Sequence, residues 1–308
     1  MHNTEVLQTI TSTQHSTSSP LRETNSSPSN SLKIISWNIY MLPRHLLRTG
    51  QSERAYEIVE VLKEQDADII VMEEAFDRKA REIIRKGLKE YFPYESGNPP
   101  KNIFWRTNSG IWIISKIPFT IVKNIYFTKG RGPDWFACKG AMLIEATKNN
   151  FSFYVIGTHL QSDFGGARSQ EIRRAQYEQI RKELLEPFNK KSKPQFLVGD
   201  FNTIHHESLH YEQMLSMLEV KSCSLEGDCR YSYDYSTNDF ITKINNQPQL
   251  IDYILYSDSE HHKIEGKMFI NMFRKQWDSN RFDLSDHFAV TGIFNLFDGN
   301  SDISLLPL

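Results

Sequence analysis

The 308-residue chain is poor in cysteine, in charge imbalance and in long apolar runs, and each shortage removes a class of protein. Three cysteines, Cys138, Cys223 and Cys229, are too few for a disulfide framework. Cys223 and Cys229 flank SLEGD, a spacing compatible with a small bridged loop or with two unpaired thiols. No second pair or suitably spaced histidine joins them to hold zinc. With 36 Lys and Arg against 38 Asp and Glu, the chain has no global attraction to nucleic acid or to anionic lipid. No stretch approaches the ~18 uninterrupted apolar residues of a membrane span. Internal repeats at periods of roughly 20–50 residues are absent, as is any Pro/Gly/Ser linker that would split the chain.

Residues 1–31 are rich in Ser, Thr and Asn and hold no apolar cluster, so they are expected to be a disordered leader. They lack the continuous apolar core of a secretory signal. An exported protein of this sequence would have lost its signal or use another route, and cytoplasmic residence is also compatible with it.

What is present is a 39% apolar, 12% aromatic chain that alternates strand and helix patterns from Leu32 onward. Strands are expected at 32–37, 68–72, 110–115, 122–127, 140–146, 151–157, 195–199, 250–256 and 288–294. Helical spacing of apolar residues marks 52–65 and 77–92, with Asp77 placed to cap the second. Further helices are expected over 167–187 and 207–218. This order predicts one α/β domain over 32–297, its sheets packed between helices, with 298–308 as a tail.

Four polar motifs ride on the ends of apolar runs: SWNIY with Asn38, VMEEAF with Glu74, LVGDFN with Asp200 and Asn202, and LSDHFAV with Asp286 and His287. Strands that bury their apolar part and expose such ends gather distant polar residues into one pocket. Glu74, just past DIIVM, suits Mg²⁺, which takes one or two protein carboxylates and keeps its waters; a solvated pair with Glu73 opening the next helix is the plainer alternative. Alternation puts Glu73 and Glu74 on opposite faces, so one of them should be a ligand. Asp200 and Asn202, two residues apart on extended backbone, can aim at one centre. Asp252 interrupts the apolar run LIDYILY and needs a buried partner, for which His287 is the natural candidate. An Asp–His pair fixes the imidazole tautomer and raises its basicity. His159, ending FYVIGTH, can donate to a phosphate oxygen, and Lys139 beside Gly140 can place a point charge near one. The histidines at 205, 206, 210, 261 and 262 sit in polar stretches and receive no role.

With these residues in view, the chain resembles the endonuclease/exonuclease/phosphatase superfamily with its DNase I-like fold. Asn38, Glu74, His159, Asp200, Asn202, Asp252, Asp286 and His287 carry that likeness in chain order. Within it, WNIYMLPR, EEAFDRKA, GRGPDWFACKG, GTHLQSD and YDYSTND are similar to the Mg²⁺-dependent neutral sphingomyelinases. The resemblance implies a four-layer α/β sandwich, two mixed sheets face to face with helices outside. It implies hydrolysis of sphingomyelin to ceramide and phosphocholine at a membrane surface, by a peripheral, monomeric and secreted or translocated enzyme. Carried over, Glu74 is the principal metal ligand, Asn38 lies beside it and Asp286 is close to the metal centre. The metal is Mg²⁺, with Mn²⁺ or Co²⁺ able to substitute. His287 is the general base oriented by Asp252, Asp200 and Asn202 position water and phosphate, and His159 supports the transition state. Lys139 and Asn238 line the substrate pocket. The chain departs from the pattern at Arg78, where the family commonly has Asn. Its segment 267–277 is shorter than the membrane-dipping hairpin of the bacterial enzymes, yet still offers Met268, Phe269, Met272, Phe273 and Trp277 beside Arg274 and Lys275. These suit an interface or ordinary strand packing. A nuclease of the same fold is the alternative, disfavoured by the near-neutral charge; no nucleic acid partner is expected.

Overall fold

Strand β1 (Ser31–Met41) already contains the plan of the molecule. Leu32 and Ile34 point to one side and Ile35, Trp37, Ile39 and Met41 to the other, so both faces of its sheet are buried. The structure, a computed structural model, describes residues 31–97, 107–163, 166–188, 192–241 and 247–298. The leader, up to residue 30, and the tail beyond 298 lie outside the described residues. After β1 come α1 (Gln51–Lys63), β2 (Ile69–Ala75), α2 (Arg78–Leu88), β3 (Tyr94–Glu95), β4 (Trp112–Ser115) and β5 (Phe119–Tyr126). Then follow α3 (Pro133–Phe136), β6 (Gly140–Lys148), β7 (Phe151–His159), α4 (Ala167–Ile180), β8 (Gln195–Asp200), α5 (Ser208–Leu218) and β9 (Ser224–Glu226). The chain closes with β10 (Asp252–Ser257), β11 (His262–Asn271), β12 (Arg274–Asp278), β13 (Arg281–Asp283) and β14 (Ala289–Asp298).

Seven strands form one sheet in the order β3-β4-β2-β1-β14-β11-β9, and five form a second, β10-β8-β7-β6-β5. Both are mixed: β1 and β2, β7 and β8, and β9 and β11 run parallel. The sheets pack face to face. Phe294 of β14 meets Phe196 of β8 with ring centroids 4.8 Å apart, and a Cβ on Gly157 of β7 would sit 2.9 Å from Val71 of β2. Helices α1 and α2 cover the outer face of the first sheet through Ile58, Leu62, Ile84 and Leu88. Helices α4 and α5 cover the second, where Tyr211 packs on Tyr253. This is the expected four-layer sandwich. Among the described residues no helix is long and apolar enough to cross a membrane.

The expected elements are present with shifted ends. β1 starts at Ser31 and β14 runs to Asp298, one residue beyond each expected domain boundary, and the 167–187 helix finishes in a π turn over Arg181–Leu185. Cys138, Cys223 and Cys229 form no disulfide, so the loop between the last two is unbridged. Segment 267–277 is strand packing for the most part. Met268 is in the core, Phe273 stacks edge-on against Trp37 at 5.2 Å, and Trp277 donates its indole N–H to the Asp283 carbonyl.

Candidate active site

The inward rows of the strands change from apolar to polar at the same end of the sandwich. In β1 the row reads Leu32, Ile34, Ser36, Asn38; in β2 it reads Ile69, Val71, Glu73. Across the gap, β7 gives Val155, Gly157, His159; β8 gives Phe196, Val198, Asp200; and β10 ends at Asp252. Register completes the gathering. His159, Asp200 and Asp252 are paired neighbours on three adjacent strands, and Asn38 is paired with Glu73. Asn38 then bridges the two sheets, donating its amide to Asp200 Oδ2 at 3.3 Å.

His287 enters on the loop before β14, its backbone carbonyl accepting from the Trp37 indole at 3.0 Å. Its Nδ1 faces Asp252 Oδ2 at 2.9 Å, its Nε2 lies 4.0 Å from Asp200 Oδ2, and Tyr233 packs against the ring at 5.0 Å. Burial disfavours the imidazolium, but the Asp252, Asp286 and Asp200 carboxylates outweigh it and push the imidazole well above its ordinary 6.5. Asp200 is the reverse case. Burial opposes its ionisation, yet His159, His287 and Lys139 hold it well below the usual carboxylate range. Asn202 follows in the left-handed region at φ 50, donating its backbone N–H to Asp200 at 2.9 Å and its amide to the Leu160 carbonyl at 3.0 Å. Its side-chain oxygen is left to meet water or a ligand.

Lys139 is buried and held from three sides: Asp134 at 2.8 Å, the Leu160 carbonyl at 2.8 Å and His159 Nε2 at 2.7 Å. The same His159 nitrogen lies 3.2 Å from Asp200, while Nδ1 has no partner among the described residues. One ring nitrogen cannot accept from Lys139 and donate to Asp200 at once, so the His159 tautomer decides which of the two it bonds. Asn238 is buried with its amide on the Ser285 carbonyl at 2.9 Å and its oxygen on the Phe240 N–H at 2.8 Å, clamping the loop that carries Asp286 and His287.

Glu74 reaches this end by a backbone device. It sits at φ 55, a conformation rare for non-glycine residues, while Glu73 stays in the regular inward row. One Glu74 carboxyl oxygen, Oε2, is buried without a hydrogen-bond partner among the described residues. Burial, with Asp286 adding, raises its carboxyl against the opposing pull of His159 and Lys139. Asp286 is likewise raised by burial and accepts from the Ser285 hydroxyl at 3.2 Å. A buried carboxylate with an unpartnered oxygen beside another carboxylate calls for a cation. Asp200, Asp252 and His287 also present ligand atoms within 4.8 Å of one another, although Nδ1 of that histidine is occupied by Asp252. Arg78 opens α2 and is exposed.

Two residues without an assigned role support the site. Arg54 of α1 is fully buried, its guanidinium donating to the Ile39, Tyr40 and Leu284 carbonyls at 2.8, 2.6 and 2.8 Å. Its place one turn before Ile58, on the inward stripe of the helix, is the signal available in the sequence. Asp134, inside GRGPDWFACKG, fixes Lys139 and has no signal beyond that motif.

Residues 35–287 match the model of the Endonuclease/Exonuclease/phosphatase family, and the chain belongs to that family. It is similar to sphingomyelinase C 2 of Leptospira interrogans, 31% identical over 286 aligned residues and covering 85% of this chain. The chain spans about half the length of that relative, 46% of it. To sphingomyelinase C of Listeria ivanovii the identity is 25%, across 84% of this chain and 85% of the other. Beta toxin of Staphylococcus aureus superposes with a TM-score of 0.76 at 26% identity, over 85% of this chain and 99% of the toxin. A variant of that toxin with bound magnesium ions superposes at 0.74 with 24% identity.

Proposed function

We propose that this chain is a metal-dependent phosphodiesterase that hydrolyses sphingomyelin to ceramide and phosphocholine. The observation that carries the reading is the His287–Asp252 pair, at 2.9 Å, opening onto the end of the sandwich that also holds Asp200, His159 and Glu74. Asp252 fixes the imidazole with Nε2 turned to the site, and in the neutral form of the ring Nε2 takes the proton of a water that attacks phosphorus. Asp200 and the Asn202 side-chain oxygen orient that water. His159 and the fixed ammonium of Lys139 meet the negative charge of the phosphoryl oxygens. Glu74, with Asp286 and Asn38, fits a divalent cation; Mg²⁺ held there would neutralise phosphate charge and stabilise the departing alkoxide. The same reading makes residues 32–297 the catalytic unit and makes the protein a monomer, exported or translocated to the membrane it acts on.

The test is phosphocholine release from sphingomyelin vesicles with Mg²⁺, against chelator and His287→Ala, with plasmid DNA in parallel. His287→Ala is expected to lower turnover by about 10²–10⁴-fold with the fold intact. Near wild-type turnover in that variant would remove the base. DNA cleavage without lipid hydrolysis would move the chain to the nuclease branch of the family.

A further inference from the structure

A cavity of about 900 Å³ opens directly above Glu74 and Lys139, and its walls come from two separate segments. One wall is the chain leaving β1, with Leu42, Pro43 and Leu46; the other is α3 and its flanks, with Pro133, Phe136 and Ala137. Above the walls, both rims carry large apolar side chains into solvent. Leu46 is 70% and Leu47 43% exposed on the first rim, and Trp135 is 36% and Phe136 54% exposed on the second. Single exposed apolar residues are ordinary, but two adjacent pairs carried on the two segments that wall one cavity make a patch. Exposed cations flank both pairs: Arg48 beside Leu47, and Lys129 and Arg131 ahead of Trp135. Apolar residues bordered by basic ones are the composition of a surface that lies in the headgroup layer of a membrane.

We propose that these two rims dock on a phospholipid bilayer, Leu46–Leu47 and Trp135–Phe136 entering the headgroup boundary while Arg48, Lys129 and Arg131 meet lipid phosphates. The occupant follows from continuity with the site. A lipid drawn from the bilayer enters between the rims, lays its apolar part along Leu42, Pro43 and Ala137, and brings its phosphate down to Glu74 and Lys139. The inference rests on the proposed function and adds to it the face that approaches the membrane. Segment 267–277 offers less of such a face, because Met268, Phe273 and Trp277 are turned inward and Met272 stands exposed away from the cavity lining.

The experiment uses the full chain carrying His287→Ala, so that lipid is not consumed, and vesicles of phosphatidylcholine and sphingomyelin. Leu47→Glu and Trp135→Glu, rim residues that do not line the cavity, are added singly, with Leu209→Glu as control, since Leu209 on α5 is 77% exposed and away from the cavity. The rim variants are expected to lower vesicle partitioning by about tenfold and the control to leave it unchanged. In the His287-containing protein the same rim variants should lose sphingomyelin hydrolysis on vesicles and keep turnover of soluble p-nitrophenylphosphorylcholine within twofold. Rim variants that partition like the parent would overturn the proposal, as would an equal loss in Leu209→Glu. Equal loss on the soluble substrate would make the rims part of the catalytic centre, and a dimer dissolved by Leu47→Glu would make them a self-association surface; either ends the proposal. Rim-dependent vesicle binding without any sphingomyelin hydrolysis would uphold the docking face while removing the proposed activity.

Discussion

Glu73 stands in the inward row of β2 with one carboxyl oxygen on the Ser36 hydroxyl at 3.2 Å and the other without a partner among the described residues. Burial first, then the charges of Asp252 and Asp200, push its carboxyl well above the ordinary 4.5, so the folded protein keeps a proton that the unfolded chain releases. The unfolded state therefore binds fewer protons, and stability falls as pH rises from 4.5 toward the folded value. Glu73→Gln, which cannot ionise, should flatten that decline. Melting temperatures of both proteins from pH 5 to pH 8 are expected to diverge in favour of the variant at the alkaline end; parallel curves would refute the account. The residues that hold the chemistry were legible because each follows an apolar run that names its strand. Glu73 and Arg54 were not, because their roles depend on what another sheet or helix places against them. Alternation predicts opposite faces for Glu73 and Glu74, but the positive φ at Glu74 breaks the strand pattern and brings that residue to the same end of the sandwich as Glu73.

The turn from β2 into α2 shows how an element supports the site from behind. Asp77 caps α2 by accepting from the Ala80 N–H at 2.8 Å and pairs with Arg44 of the rim segment. Asp77→Ala is expected to cost about 1–2 kcal/mol, chiefly from the lost cap, since Arg44 is part-exposed and its ion pair is screened. Urea unfolding of Asp77→Ala and Asp77→Asn measures this; the Asn variant should recover most of the loss. Helices α1 and α2 were readable from apolar spacing, and Asp77 from the residue types that cap. Strand β11 was obscured because Lys263, Glu265 and Lys267 alternate with Ile264, Gly266 and Met268. Its alternation is regular, and Gly266 occupies an inward place where a Cβ would lie 2.4 Å from the Phe294 ring. Helix α3 has four residues, too few for any period to show.

At the scale of the whole molecule, the residues proposed to react belong to two different sheets. Asn38 and Glu74 come from the first, His159, Asp200 and Asp252 from the second, and the apolar layer between them sets the distance across which they meet. Phe294 is fully buried in that layer, against Phe196 and Tyr256. Phe294→Ala should cost about 3–5 kcal/mol. Tryptophan fluorescence and activity are expected to disappear in a single denaturant transition, because loosening this layer separates the sheets and the site together. This packing could not be read from the sequence, which shows that strands are apolar without showing which faces meet. Arg54 has a wider consequence. Burial lowers its guanidinium only to about 10, so it remains a cation at neutral pH, with the fields of Asp286 and Glu74 acting on it from within the fold. The molecule thus carries an internal counter-charge to the carboxylates proposed to hold the cation. Chelation should shift the melting point by no more than a few degrees, and readdition of Mg²⁺ should restore full turnover; differential scanning calorimetry with and without chelator checks this. Under the proposed function, such a protein would keep its fold while depleted of cation and turn over only in a fluid that supplies one.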